Sequence, residues 1–188
     1  MSKRFSLFDF GMKPAVFSMM RFERRKVGWV RDGSKINYRE NSEIKKENND
    51  FPYFTLSFEY KFNYDGDIVY FSYSIPYTFT NLCTFISSKL AEPSCFKKVR
   101  IKSLGQTFGG NEVSMIELTN SESRNDKKAI WILGRQHSGE ITSSFMVEGI
   151  INFLLSEKSE AVFLMDHFYF RIVPMINIDG VVHGNTRA

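Results

Sequence analysis

The sequence predicts an antiparallel, β-rich first part followed by an α/β second part. Three observations predict this. Residues 54–62 read Phe-Thr-Leu-Ser-Phe-Glu-Tyr-Lys-Phe, the period-two alternation of a strand with one buried face. Residues 129–133, 142–155 and 168–173 read as strand, helix and strand, the βαβ unit of parallel pairing. Between these regions the texture of the chain shifts near Lys127, which places the boundary between residues 1–126 and 127–188, within a window of about 95–127.

In order along the chain, residues 27–31 and 36–39 are short strand candidates on either side of Asp32-Gly33. Residues 40–50 are rich in Asn, Lys and Glu, with almost nothing apolar to bury, and predict an exposed loop. The Asp65-Gly66-Asp67 turn and the apolar stretch 68–73 predict a hairpin with the alternating strand before it. Residues 78–90 carry apolar positions at helical spacing, with Thr78 or Thr80 as N-cap. Residues 99–104 and 113–118 predict strands around the 105–111 turn. Residues 129–133 form a compact apolar run, typical of a strand buried on both faces. In the helix that follows, Phe145, Met146, Gly149, Ile150, Phe153 and Leu154 are the expected inward positions.

Composition excludes several functions. Lys and Arg number 25 against 21 Asp and Glu, a tilt too small for a nucleic-acid binder. Its one local concentration, residues 21–31, reads better as a solvated face over an apolar edge than as a docking patch for acidic tails. No apolar run is long enough to span a bilayer. Cys83 and Cys95 have neither metal-ligand nor redox spacing, and no secretory segment follows the charged start, so a reducing, cytoplasmic setting is expected.

The chemistry-bearing residues stand between the compact apolar run and its helix: Gly134-Arg135-Gln136-His137-Ser138-Gly139-Glu140. Ligand sites of open α/β sheets form outside the carboxyl ends of strands, where this cluster falls. An imidazole and a carboxylate three residues apart across a glycine-containing turn can share a zinc ion. By themselves they fit a bland alternative equally: Glu140 favouring the helix dipole and His137 bonding to backbone.

The segment beginning at Arg135 resembles the zinc-site signature of the metallocarboxypeptidases, and of the cytosolic carboxypeptidases in particular, which carry Arg-x-His-Pro-Gly-Glu. Residues 170–181, Phe-Arg-Ile-Val-Pro-Met-Ile-Asn-Ile-Asp-Gly-Val, resemble the family's next strand and loop, and Gly184-Asn185-Thr186-Arg187 resembles its Gly-Asn-x-Arg. Gly11-Met12-Lys13-Pro14, Trp29-Val30-Arg31 and residues 70–78 resemble landmarks of the domain that precedes the catalytic one.

The resemblance implies an N-terminal antiparallel, sandwich-like β domain followed by the beginning of an α/β carboxypeptidase domain with a mixed sheet. It implies His137 and Glu140 as ligands of one Zn2+ and Arg187 as the catalytic arginine that polarises the scissile carbonyl. The implied substrates are polypeptide C-terminal tails, including the glutamates of tubulin. Two departures, Ser138 for proline and Ile178 for proline, are expected to loosen the loops beside the metal. The family's third ligand, a histidine, its carboxylate-gripping Asn-Arg pair and its general-base glutamate match no residue here, and His167 and His183 are poor substitutes. The chain is therefore expected to be incomplete and inactive alone. The alternative is a non-catalytic binding module or vestigial fragment.

Overall fold

The computed structural model describes residues 5–44, 52–120 and 126–187. The chain divides into two compact units at Ile75/Pro76, well before the boundary expected near residue 126. The reason is hydrogen bonding: the strands of residues 99–118 belong to the same sheet as the βαβ unit, as shown below.

The first unit holds two antiparallel sheets. Strands β1 (Ala15–Ser18), β2 (Val30–Arg31) and β5 (Val69–Ser72) form one, in the order β2-β1-β5. Strands β3 (Ser34–Ile44) and β4 (Pro52–Glu59) form the other. Residues 68–73 therefore do not pair with the alternating strand. They pair with β1, with Val16 opposite Phe71, while β4 takes β3. The exposed loop expected over residues 40–50 is strand as far as Ile44, because β3 continues pairing with β4; residues 45–50 lie outside the described residues. The alternation holds as far as Tyr60, with Phe54, Leu56, Phe58 and Tyr60 half-buried between exposed neighbours, while Phe62, beyond the end of β4, is exposed.

A short helix, α1 (Met19–Arg25), was hidden in the basic segment. Ser18 caps it by accepting from the Arg21 amide. Arg21 and Arg31 spend their guanidinium groups on backbone carbonyls, of Val16 and Gly28 in the first case and of Lys13 and Tyr73 in the second. Two of the five basic residues in this segment are thus structural.

The second unit opens with α2 (Phe79–Ala91), capped by Thr78 in a reciprocal box with Asn81. Strands β6 (Val99–Gln106), β7 (Glu112–Leu118), β8 (Lys128–Leu133) and β9 (Phe168–Val173) build a four-stranded mixed sheet, ordered β6-β7-β9-β8. β8 and β9 are parallel, joined through α3 (Thr142–Leu154) and α4 (Ser159–His167), as the strand-helix-strand pattern requires. β6, β7 and β9 are antiparallel neighbours. The helices cover one face of this sheet through a core of Ile116, Leu118, Val147, Ile151, Leu154, Met165 and Ile172.

Two burial expectations change. β8 is an edge strand rather than a strand buried on both faces; Trp131 and Leu133 are 51% and 60% exposed, on the face away from the helices. The buried stripe of α3 is Ser144, Val147, Ile151 and Leu154; of the expected inward positions Leu154 is buried and Ile150 packs against the core, whereas Phe145, Met146 and Phe153 are exposed. This helix is apolar around much of its circumference, so two overlapping stripes satisfy the same period, and only packing chooses between them. His167 ends α4 as expected, its Nδ1 2.8 Å from the Phe163 carbonyl.

Candidate metal centre

The site grows from the carboxyl end of β8. The backbone leaves the sheet at Gly134, whose amide still donates to Val173 on β9. Arg135 then turns it with φ of 50°, in the left-handed region. A tight turn follows, closed by the Glu140 amide donating to the His137 carbonyl at 3.0 Å, and α3 begins at Thr142. That turn brings the His137 and Glu140 side chains onto one side.

His137 Nδ1 lies 3.1 Å from Glu140 Oε1, with the two side chains 31% and 63% exposed. On the other side of the ring, Arg187 Nη2 lies 2.9 Å from His137 Nε2. A guanidinium only donates, so Nε2 is the accepting nitrogen and the neutral ring turns its Nδ1–H to Glu140. The three residues singled out from the sequence thus form one continuous chain, Arg187 to His137 to Glu140. No group of three or more His, Cys, Asp or Glu suited to a metal occurs among the described residues, and His167 and His183 do not join the pair.

Two loops meet to make this contact. The segment after β9 carries the short helix α5 (Ile178–Val182), capped by Asn177, which accepts from the Gly180 amide. The Asn177 side-chain amide also donates to the Arg187 carbonyl at 2.6 Å. The Gly139 amide donates to the Thr186 carbonyl at 2.8 Å, and Ser138 Oγ to the Asn185 carbonyl at 2.6 Å. Ser138 therefore ties the His137–Glu140 turn to the arginine loop rather than loosening it. Ile178 is likewise pinned, buried with Tyr77, Leu82 and Met175.

Sequence reasoning gave no role to three side chains that organise the loops. Asp179 accepts from Thr107 Oγ1 (2.6 Å), Asn111 Nδ2 (2.8 Å) and the Gly109 amide (2.9 Å), gripping the β6–β7 turn. The Thr107 and Asn111 bonds, then that of Gly109, hold its carboxyl below the usual carboxylate range. Tyr77 donates to Glu148 at 2.6 Å, and burial, aided by that bond, pushes its phenol well up. Arg135 is only 4% exposed, its guanidinium affinity for protons lowered by burial. The one available signal was its place in the quoted signature.

The chain's place among known proteins follows. The zinc carboxypeptidase family, peptidase M14, matches residues 89–188, more than half of the chain, and the chain belongs to that family. Within it, the similarity is to cytosolic carboxypeptidases. The chain is 34% identical over 188 residues to cytosolic carboxypeptidase 2 of Xenopus tropicalis, covering 97% of this chain and 19% of that protein. It is 35% identical over 191 residues to cytosolic carboxypeptidase 3 of Bos taurus, covering 100% and 19%. The chain spans about a fifth of the length of these relatives. It superimposes with a TM-score of 0.70 on a metallo-carboxypeptidase from Burkholderia cenocepacia, at 24% identity, over 98% of this chain and 43% of that one. The fold is accordingly carboxypeptidase-like, with a mixed sheet.

The family is zinc-dependent, and the donor geometry can be tested against that ion. Two tetrahedral zinc ligands at about 2.0–2.1 Å from the metal sit about 3.3 Å apart. The observed Nδ1 to Oε1 separation of 3.1 Å matches that spacing closely, and once Nδ1 gives up the proton it turns to Glu140, imidazole nitrogen and carboxylate oxygen make a common zinc donor set. The pair fits.

Proposed function

We propose that this chain forms part of a zinc carboxypeptidase that hydrolyses C-terminal residues of polypeptides, with His137 and Glu140 holding one Zn2+ and Arg187 acting on the scissile carbonyl. The observation that carries this reading is the convergence of the three side chains, at 3.1 Å and 2.9 Å, from two separate loops. When bound, zinc supplies an activated water and polarises the carbonyl. Arg187, always charged, is suited to stabilise oxygen charge that develops only in the transition state. Glu140 and the His137 ring hold each other in a ligating orientation before any ion arrives.

Similarity to proteins named cytosolic carboxypeptidases supports a cytoplasmic setting, and the motif resemblance extends the proposal to glutamate-rich C-terminal tails, tubulin among them. The same similarity supports a sandwich-like reading of the first unit, in which Phe58 of β4 and Phe71 of β5 meet at 5.3 Å between the two sheets.

Titration of the purified chain with Zn2+ tests the ligand assignment. The parent should bind one equivalent, and His137→Ala and Glu140→Gln should each weaken it more than tenfold. Unchanged affinity in both variants overturns the assignment and favours a non-catalytic binding module. The substrate reading has its own test, on a form that also carries the Asn-Arg pair and the general-base glutamate: equal rates of release of C-terminal glutamate and of a neutral residue remove the acidic-tail assignment while leaving the peptidase class intact.

A further inference from the structure

The turn that carries His137 and Glu140 is built around a buried arginine. The side chain of Arg135 folds back beneath that turn. Its Nε donates to the Ser138 carbonyl at 2.8 Å, and its Nη1 donates to Ser144 Oγ at 3.0 Å and to the Tyr77 carbonyl at 3.3 Å. One guanidinium therefore joins the middle of the metal-pair turn, the first turn of α3 and the residue preceding the Thr78 cap of α2. The backbone of Arg135 extends the network: its amide donates to Ser143 Oγ, and its carbonyl accepts from the Asn177 amide. Asn177 in turn holds the Arg187 carbonyl. Both halves of the candidate site thus meet at Arg135.

Two features of this residue run against local preference. Its φ of 50° lies in the left-handed region, where a side chain is disfavoured and glycine is at ease. Its charge is buried, with only neutral oxygen acceptors bonded to it and no carboxylate within ion-pair distance among the described residues. Backbone strain of this kind persists where surrounding contacts impose it, and it concentrates at functional sites. A planar fork of donors in one orientation is what a guanidinium offers and an ammonium does not.

We infer that Arg135 is the positioning residue of the metal centre: its guanidinium fixes the Ser138 carbonyl, and through it the turn that sets the His137–Glu140 spacing. This rests on the reading of that pair as zinc ligands. Groups that orient ligands from behind typically change metal affinity by about 10–100-fold when removed.

The test uses Arg135→Gly and Arg135→Lys in the full chain. Arg135→Gly removes the fork, and relief of the backbone offsets only part of the lost buried bonds, so the variant should unfold at a lower temperature than the parent while remaining folded under the assay conditions. Its Zn2+ affinity should nevertheless fall by about 10–100-fold. With Co2+ in place of zinc, the visible d–d bands should shift or weaken. Arg135→Lys keeps the charge without the fork and should fall between the two. Parent-like Zn2+ affinity and Co2+ spectrum in Arg135→Gly overturn the inference. If Arg135→Gly does not fold, Arg135→Lys decides by the same two readings. If instead the parent and His137→Ala bind Zn2+ equally, the ligand reading has failed on its own. The positioning role is then judged without metal by the imidazole 15N shifts of His137. A change in Arg135→Gly supports it, and unchanged shifts overturn it.

Discussion

Gly139→Ala is the substitution that most directly probes how the two loops of the site are held together. Gly139 has ordinary backbone torsions, so an alanine meets no conformational penalty there; what it meets is the neighbouring loop. An added Cβ would stand 2.8 Å from the Thr186 carbonyl oxygen, 3.3 Å from Thr186 Cα and 3.4 Å from its Cγ2. The cause is the hydrogen bond from the Gly139 amide to that same carbonyl, which draws the oxygen over the α-carbon. Carbon and oxygen do not approach so closely, and the obstacle is backbone rather than a flexible side-chain end. Relief requires the 184–187 segment to retreat by about half an ångström, stretching the hydrogen bond. Overpacking of this kind costs about 1–3 kcal/mol, and loss of the bond about 0.5–1.5 kcal/mol. The destabilisation should therefore fall at about 0.5–3 kcal/mol, according to which route the loop takes, if the loop is fully ordered by folding. Urea unfolding followed by circular dichroism reads it as a lower midpoint at unchanged slope. The His137 imidazole 15N shifts should change as well, because Arg187 moves with Thr186. A variant with the parent's midpoint and parent's imidazole shifts would refute the close approach of the two loops.

Other expectations follow from single contacts. Asp179→Asn should destabilise the chain at neutral pH. Because the folded carboxyl is held below its ordinary value, its contribution is complete above the unfolded pKa of about 3.9 and is lost as pH falls through the folded value. Urea midpoints of parent and variant should therefore begin to converge as pH drops below about 4 and go on converging toward lower pH, and a gap that does not narrow on acidification counts against the charge as its source. Ile172→Ala, in the central strand β9 with no exposure, should cost about 2–5 kcal/mol, measured by the same unfolding. Thr78→Ala removes the α2 cap and should cost about 1 kcal/mol, with a loss under 0.3 kcal/mol indicating that Asn81 alone satisfies that end.

What the sequence by itself determined is whatever depends on neighbours in the chain. Alternation marked β4, Thr78 as one of two cap candidates marked the start of α2, and the strand-helix-strand order implied the parallel β8 and β9. The spacing of His137 and Glu140 was also legible, since a three-residue separation across a tight turn is a local property. Only the tertiary structure decided what depends on distant partners. Residues 68–73 have the composition of any strand, and nothing local could say that they pair with β1 rather than β4. The apolar girth of α3 left its buried stripe open until the sheet chose it. The role of Arg135 belongs to the same class. Its acceptors come from the turn just ahead of it, the first turn of α3 and residue 77, and only folding brings those three oxygens within reach of one guanidinium.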